Sequence, residues 1–219
     1  MLEKIKESCN YVAQNSQHVT INYGVLDEYI KNIDLKKVKF WLSSNPYNLF
    51  EMPIDKIINF MLVFEAIDYC FWGEPKWTIK TEEGLKDGSD ALLYALLNYV
   101  KKQDKVDFSN ISLEEFSQIL KGNVEIPYLN ERYETVVSIS KVVNDKMDGN
   151  FYNYIKEVNE DTELLAIIID NFASFYDERE YNGQKVYFYK LVQLLTSDIL
   201  HLKELVTGAK VDYSHLVAC

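Results

Sequence analysis

Lys190 stands in KVYFYKLVQLLTSD, residues 185–198, where a cation interrupts an apolar helical pattern. A cation held against a buried face needs a carboxylate partner or a chemical task to offset its desolvation. A second stretch, NFMLVFEAIDYCFW at 59–72, carries Glu65 and Asp68 three residues apart, which puts both acids on one helical face in unusually apolar company. Acids so placed can line a pocket floored by Phe71 and Trp72 and accept hydrogen bonds from the amino and imino groups of a guanine-like base. They can equally lie on the one solvated edge of the helix. Lys190 has an ordinary reading too, a surface lysine whose stem covers apolar neighbours while its ammonium reaches water. At about 100° per residue Lys190 lies within roughly 20° of Ser197 and His201 and about 80° from Asp198. Lys190 and Asp198 can therefore frame one cleft without forming an intrahelical pair.

The elements that would position these groups are mainly helices. Only 8 glycines and 4 prolines punctuate 219 residues, and apolar positions recur at the three-and-four spacing of amphipathic helices. Helices are expected near 2–15, 24–32, 34–43, 53–72, 89–103, 112–121, 129–147, 149–158, 161–172 and 185–206. Ser112 and Glu115 form a capping-box pattern, Pro53 suits a first helical turn, and Gly122 and Gly149 suit helix ends. Residues 74–88 break the pattern, with alternation around Trp77 and Ile79 and turn glycines at 84 and 88, so one small β-hairpin is expected there. Asn182-Gly183 marks a turn between the helix ending near Phe172 and the helix containing Lys190. No repeat, low-complexity tract or linker divides the chain, and the expected fold class is all-α in a single domain over 1–219.

Composition excludes several functions. A net charge of -11 argues against a polynucleotide partner, whose affinity depends on phosphate neutralisation by a basic stripe. A single nucleotide needs only one or two local cations. With 16 Tyr, 11 Phe and 3 Trp the chain has flat surfaces for a planar heterocycle, although core packing is their commoner use. Cys9, Cys70 and Cys219 show neither a disulfide framework nor zinc spacing, and His18, His201 and His215 lack any metal-ligating spacing. No cofactor is expected, and a reducing, cytoplasmic setting is. The opening MLEKIKESCN alternates charge, so no signal peptide is expected, and Asp55, Lys56, Glu65 and Asp68 mark the apolar run 54–72 as a buried helix and not a membrane span. GxSxG, Walker and GxGxxG motifs are missing.

Taken in order, AQNSQHVTI at 13–21, FEAIDYCFW at 64–72, DGSDALLYAL at 87–96, IPYLNER at 126–132, NFASFYD at 171–177 and the 185–198 stretch resemble the queuosine salvage proteins. That family comprises queuosine 5'-phosphate N-glycosidases. The resemblance runs from about residue 10 to the C-terminus, and the FW and FYKxxQ elements are its most specific parts. It implies an all-α fold similar to helix-hairpin-helix DNA glycosylases, acting on a mononucleotide. The implied reaction is hydrolysis of the bond between ribose and queuine, a 7-deazaguanine that can then be reused for transfer RNA modification.

Such cleavage passes through an oxocarbenium-like sugar, which a carboxylate near C1' stabilises or attacks through water, while a donor eases departure of the base. Queuine lacks the N7 that purine glycosidases protonate, so assistance must come at N3 or O6. By the resemblance, Lys190 matches the active-site lysine and Asn15 is a contact for queuine, at a position where relatives can carry a histidine. Arg132, Arg179, Lys185 and Tyr189 are candidates for the phosphate. Relatives continue past the point where this sequence stops, starting with an FADYR-like segment that supplies the catalytic aspartate. The expectation is a shortened chain with little hydrolase activity unless a second chain completes it. Asp212-Tyr213 could be a shortened equivalent, and if this chain is as active as a lengthened version, Asp177 and Asp198 become the leading replacement acids. Two other readings stay open: a non-catalytic protein that binds queuine or a nucleotide, or serves in interactions, and, disfavoured by charge, a DNA or RNA glycosylase.

Overall fold

Apolar residues at helical spacing fold this chain into nine α-helices and two β-hairpins among the described residues. The computed structural model describes residues 2–34, 37, 41, 49–212 and 216. The helices are α1 (Leu2–Asn15), α2 (Tyr23–Asn32), α3 (Ile54–Ile67), α4 (Gly88–Val100), α5 (Leu113–Ile119), α6 (Leu129–Lys146), α7 (Phe151–Ile155), α8 (Asp161–Asn171) and α9 (Lys190–Thr207). Strands β1 (Thr78–Thr81) and β2 (Gly84–Asp87) pair antiparallel, as do β3 (Glu178–Tyr181) and β4 (Gln184–Tyr187). The expected helix over 34–43 lies largely outside the described residues.

Helix α3 is the axis of the fold. Every residue from Ile57 to Ile67 is buried, and α4, α6, α7 and α9 pack around it. That all-round burial agrees with its nearly continuous apolar sequence. Its two buried polar residues differ in kind: Asn59 accepts from the Phe151 amide at 2.8 Å and donates to Asn150 at 3.3 Å, whereas no hydrogen bond engages Glu65 among the described residues. The capping box at Ser112 and Glu115 forms as its spacing predicts, with the serine accepting from the Glu115 amide at 3.2 Å.

Three boundaries differ from expectation, two of them for a physical reason that the structure shows. Helix α3 stops at Ile67 instead of 72, because Arg132 in the first turn of α6 takes the carbonyls of Ile67, Tyr69 and Cys70. A guanidinium bound there draws the chain out of helical register, and Phe71 and Trp72 fall in a loop. Helix α9 starts at Lys190 instead of 185: Val186 and Tyr187 belong to β4, and Tyr189 takes the left-handed conformation that separates strand from helix. The helix expected over 149–158 shortens to α7. The fold is thus mainly helical with two hairpins instead of one.

Candidate functional site

Four short pieces of chain meet to form a cleft: the loop after α3, the start of α4, the β1–β2 hairpin and the first turns of α9. Arg132 fixes the first of these. Fully buried, it donates through Nε to Pro127 at 2.8 Å and through its terminal nitrogens to the carbonyls of Ile67, Tyr69 and Cys70, the last at 3.3 Å. Its guanidinium carbon lies 4.5 Å from the Tyr69 ring centre and 4.7 Å from that of Phe71. The clamp presents Asp68, Phe71 and Trp72 on one side of the loop. Phe71 stacks on Trp77 with centroids 6.2 Å apart, and the Trp77 indole donates to Leu120 at 3.1 Å.

The outer chamber, about 390 Å³, is lined by Asp68, Phe71, Trp72, Trp77, Ser89 and Lys190, with Leu191 and Leu194 on the α9 side. Trp72 is 88% exposed, a ring at the rim with a free face. Asp68 accepts from the Ser89 hydroxyl at 2.6 Å. Desolvation raises the Asp68 pKa, against the pull of Ser89, Arg132 and Lys190. Lys190 itself is exposed at the first position of α9. It faces the chamber mouth and is not packed inward. The buried ammonium of that helix belongs to Lys203, 2% exposed, which donates to the carbonyls of Ile155 and Val158 at the end of α7.

Asp68, Ser89 and Leu194 also line an inner chamber of about 260 Å³, whose other walls include Trp41, Phe64, Glu65 and Asp198. Asp198 is 8% exposed and accepts from the Trp41 indole at 2.8 Å. Burial pushes its pKa up to about 6, with the indole bond opposing. Glu65, 5% exposed, is raised well above the usual carboxylate range, first by burial and then by the neighbouring charges of Asp198 and Asp68.

The structure therefore brings together Glu65, Asp68, Phe71, Trp72, Lys190 and Asp198, drawn from two distant segments. Asn15, Asp177, Tyr189 and Arg132 line neither chamber. Asn15 ends α1, where its amide donates to Tyr11 at 2.8 Å and its carbonyl accepts from Tyr181 at 3.2 Å. Asp177 faces Arg179 at 3.8 Å on the second hairpin. The Tyr189 hydroxyl donates to Glu178 at 2.7 Å, and Glu178 also pairs with Lys185. Asp212 pairs through its backbone with Asn159 and Asp161, and Tyr213 lies outside the described residues. Sequence reasoning did not single out Trp41, Trp77 or Ser89 for the cleft. Ser89 sits in the DGSD run opening α4, where a hydroxyl at a helix start was a readable signal. Among the described residues no cluster of histidine, cysteine and acid groups could hold a metal ion.

Fold and cleft define a mainly helical protein with a preformed, acid-lined and aromatic-walled pocket of small-ligand size. A family model described as queuosine salvage protein matches residues 48–210, and the chain belongs to that family. Among curated relatives, the queuosine 5'-phosphate N-glycosylase/hydrolase of Sphaerobacter thermophilus is 32% identical over 150 residues, covering 66% of this chain and 46% of that protein. The proteins of the same name from Bos taurus and Mus musculus are 23% and 24% identical, each alignment covering 88% of this chain and 61% of the relative. The chain thus spans about half to three-fifths of the length of these relatives.

Proposed function

We propose that this protein hydrolyses the N-glycosidic bond of queuosine 5'-phosphate and releases queuine for reuse in transfer RNA modification. The observation that carries the reading is the convergence of Phe71, Trp72, Asp68 and Lys190 on one chamber of a chain in the queuosine salvage family. The base would lie against the Phe71 and Trp72 rings while the Asp68 carboxylate accepts from its amino and imino edge. Lys190, at the mouth, would meet the sugar-phosphate end. In the reaction water adds to C1', the bond from C1' to the base nitrogen breaks, and the departing base takes up a proton. A cation at the mouth helps by stabilising negative charge on the leaving base or by anchoring the phosphate, and a carboxylate by stabilising the electron-poor sugar.

Of the sequence-derived acids, Asp68 stands beside Lys190, Asp198 stands one chamber deeper, and Asp177 stands off the cleft. A small nucleotide, not a polynucleotide, suits the net charge of -11. The proposal extends to a fold related to the helix-hairpin-helix DNA glycosylases, supported by the mainly helical architecture, and to a cytoplasmic setting, supported by cysteines without a disulfide framework. No described helix is long and apolar enough to cross a membrane.

Incubation of the 219-residue chain with queuosine 5'-phosphate, followed by chromatographic quantification of free queuine, tests the reading. Release of queuine that falls in Lys190→Ala is the expected result. Absence of both release and binding at millimolar substrate would refute it.

A further inference from the structure

The inner chamber contains more acid groups than base recognition needs. Asp68, shared with the outer chamber, can serve the base, yet Glu65 and Asp198 stand beyond it with no cation to match them among the described residues. Arg132 and Lys190 both act on Asp68, whereas the one favourable contact of Asp198 is the Trp41 indole and Glu65 has none among the described residues. Buried acids without a matching cation are costly, so a pair kept at the end of an accessible cavity calls for a ligand. A shared metal ion does not fit, since no described group of three such residues is close enough to hold one. Trp41 and Phe64, with ring centroids 6.0 Å apart, add π-faces to the same wall. Two carboxylates and aromatic faces in a small hollow are the chemistry that recognises an organic ammonium.

We propose that Glu65 and Asp198, walled by Trp41 and Phe64, form a subsite for a protonated amine carried on the substrate's base. The inference rests on the proposed queuosine 5'-phosphate reading and deepens it. Queuine bears a secondary amine on the arm at its 7-position, and that arm leaves the ring away from the glycosidic bond. With the sugar at the mouth beside Lys190, the arm passes Ser89 and Leu194, which line both chambers, into the inner one. The subsite makes the protein selective for amine-bearing 7-deazaguanines over guanine itself, a discrimination that stacking on Phe71 and Trp72 does not supply.

Calorimetric titration of the full chain with queuine, 7-aminomethyl-7-deazaguanine and 7-hydroxymethyl-7-deazaguanine tests the subsite. The last two bases differ in the charged group alone. The expected result is affinity at least about tenfold higher for the aminomethyl than for the hydroxymethyl base, a ratio that falls toward one in Glu65→Gln and in Asp198→Asn. Equal affinity of the wild-type chain for the two would overturn the amine subsite and leave the base cleft standing, a result that needs no variant to fold. Failure to bind any of the three bases, queuine included, would sink the proposed function and this inference with it.

Discussion

Lys190 and Arg132 show that a residue's position along a helix decides what its charge can do. Lys190 opens α9 and stands exposed at the chamber mouth, so its ammonium stays hydrated until a ligand arrives. Replacement by alanine is expected to lower the rate of queuine release by about 100-fold, the usual loss when a charge-stabilising donor is removed. Arginine should recover part of that rate by restoring the cation with a different reach. Steady-state assays of the two variants check this, and an unchanged rate in Lys190→Ala would remove the lysine from the reaction. Arg132 is the opposite case, a buried fork that donates to four backbone carbonyls. Arg132→Met leaves those carbonyls without donors and should cost about 3 kcal/mol or more in urea unfolding. Lysine is not expected to rescue it, because one ammonium cannot span carbonyls from both sides of the loop. A loss below about 1 kcal/mol would mean that the loop after α3 holds its shape without the clamp.

At the scale of elements, the β1–β2 hairpin is fastened to the turn after α5, and Gly122 is the contact that permits it. A Cβ at Gly122 would stand 2.5 Å from the Thr78 carbonyl oxygen and 2.5 Å from the Trp77 indole nitrogen, both fixed by their own contacts. Gly122→Ala should therefore destabilise by about 1–3 kcal/mol through overpacking. It should also weaken queuine binding, because Trp77 supports Phe71. Gly24→Ala is the control: a Cβ there meets only Asn22 at 3.5 Å, so unfolding should change little or shift toward stability. Equal unfolding midpoints for both variants would rule out the close approach. The same elements show what sequence made legible. The capping box, the first hairpin and the Asn182-Gly183 turn rest on neighbours in sequence, and the structure contains all three. The end of α3 depends on Arg132, 65 residues away from Ile67, and no local pattern records that reach. The start of α9 was misjudged because Val186, Tyr187 and Phe188 extend an apolar period that a short strand also fits. Their β-branched and aromatic character was the available signal. Of the two readings of Lys190, the structure bears out the exposed one, since moving the helix start to Lys190 exposes it and leaves Lys203 as the inward cation.

For the whole molecule, the acids of the cleft set how stability responds to pH. Glu65, Asp68 and Asp198 all hold their protons more tightly in the folded chain, chiefly because burial disfavours their charge. The folded state then binds more protons than the unfolded one, and stability falls as pH rises from the unfolded carboxylate range through the folded values. For Asp198 that window runs from the ordinary 3.8 to about 6. Asp107 works the other way: its bonds to Lys105, Ser109 and Asn144 lower its pKa, so its contribution is complete above the ordinary range and is lost only in stronger acid. Above about pH 5 the cleft acids therefore govern the slope. Asp198→Asn keeps an acceptor for the Trp41 indole and removes the cost of ionising a buried acid. At about pH 7.5 it should be more stable than wild type by on the order of 2 kcal/mol. By about pH 3 the gap should close, because the wild-type acid is then protonated when folded and largely so when unfolded. Urea denaturation of both proteins at the two pH values reads the difference directly. A gap that stays constant with pH would show that Asp198 ionises without penalty, and an excess of wild-type stability at the higher pH would mean that a cation already accompanies it. The destabilising charge is itself the source of selectivity, because an ammonium entering the inner chamber recovers the free energy that the empty fold gives up.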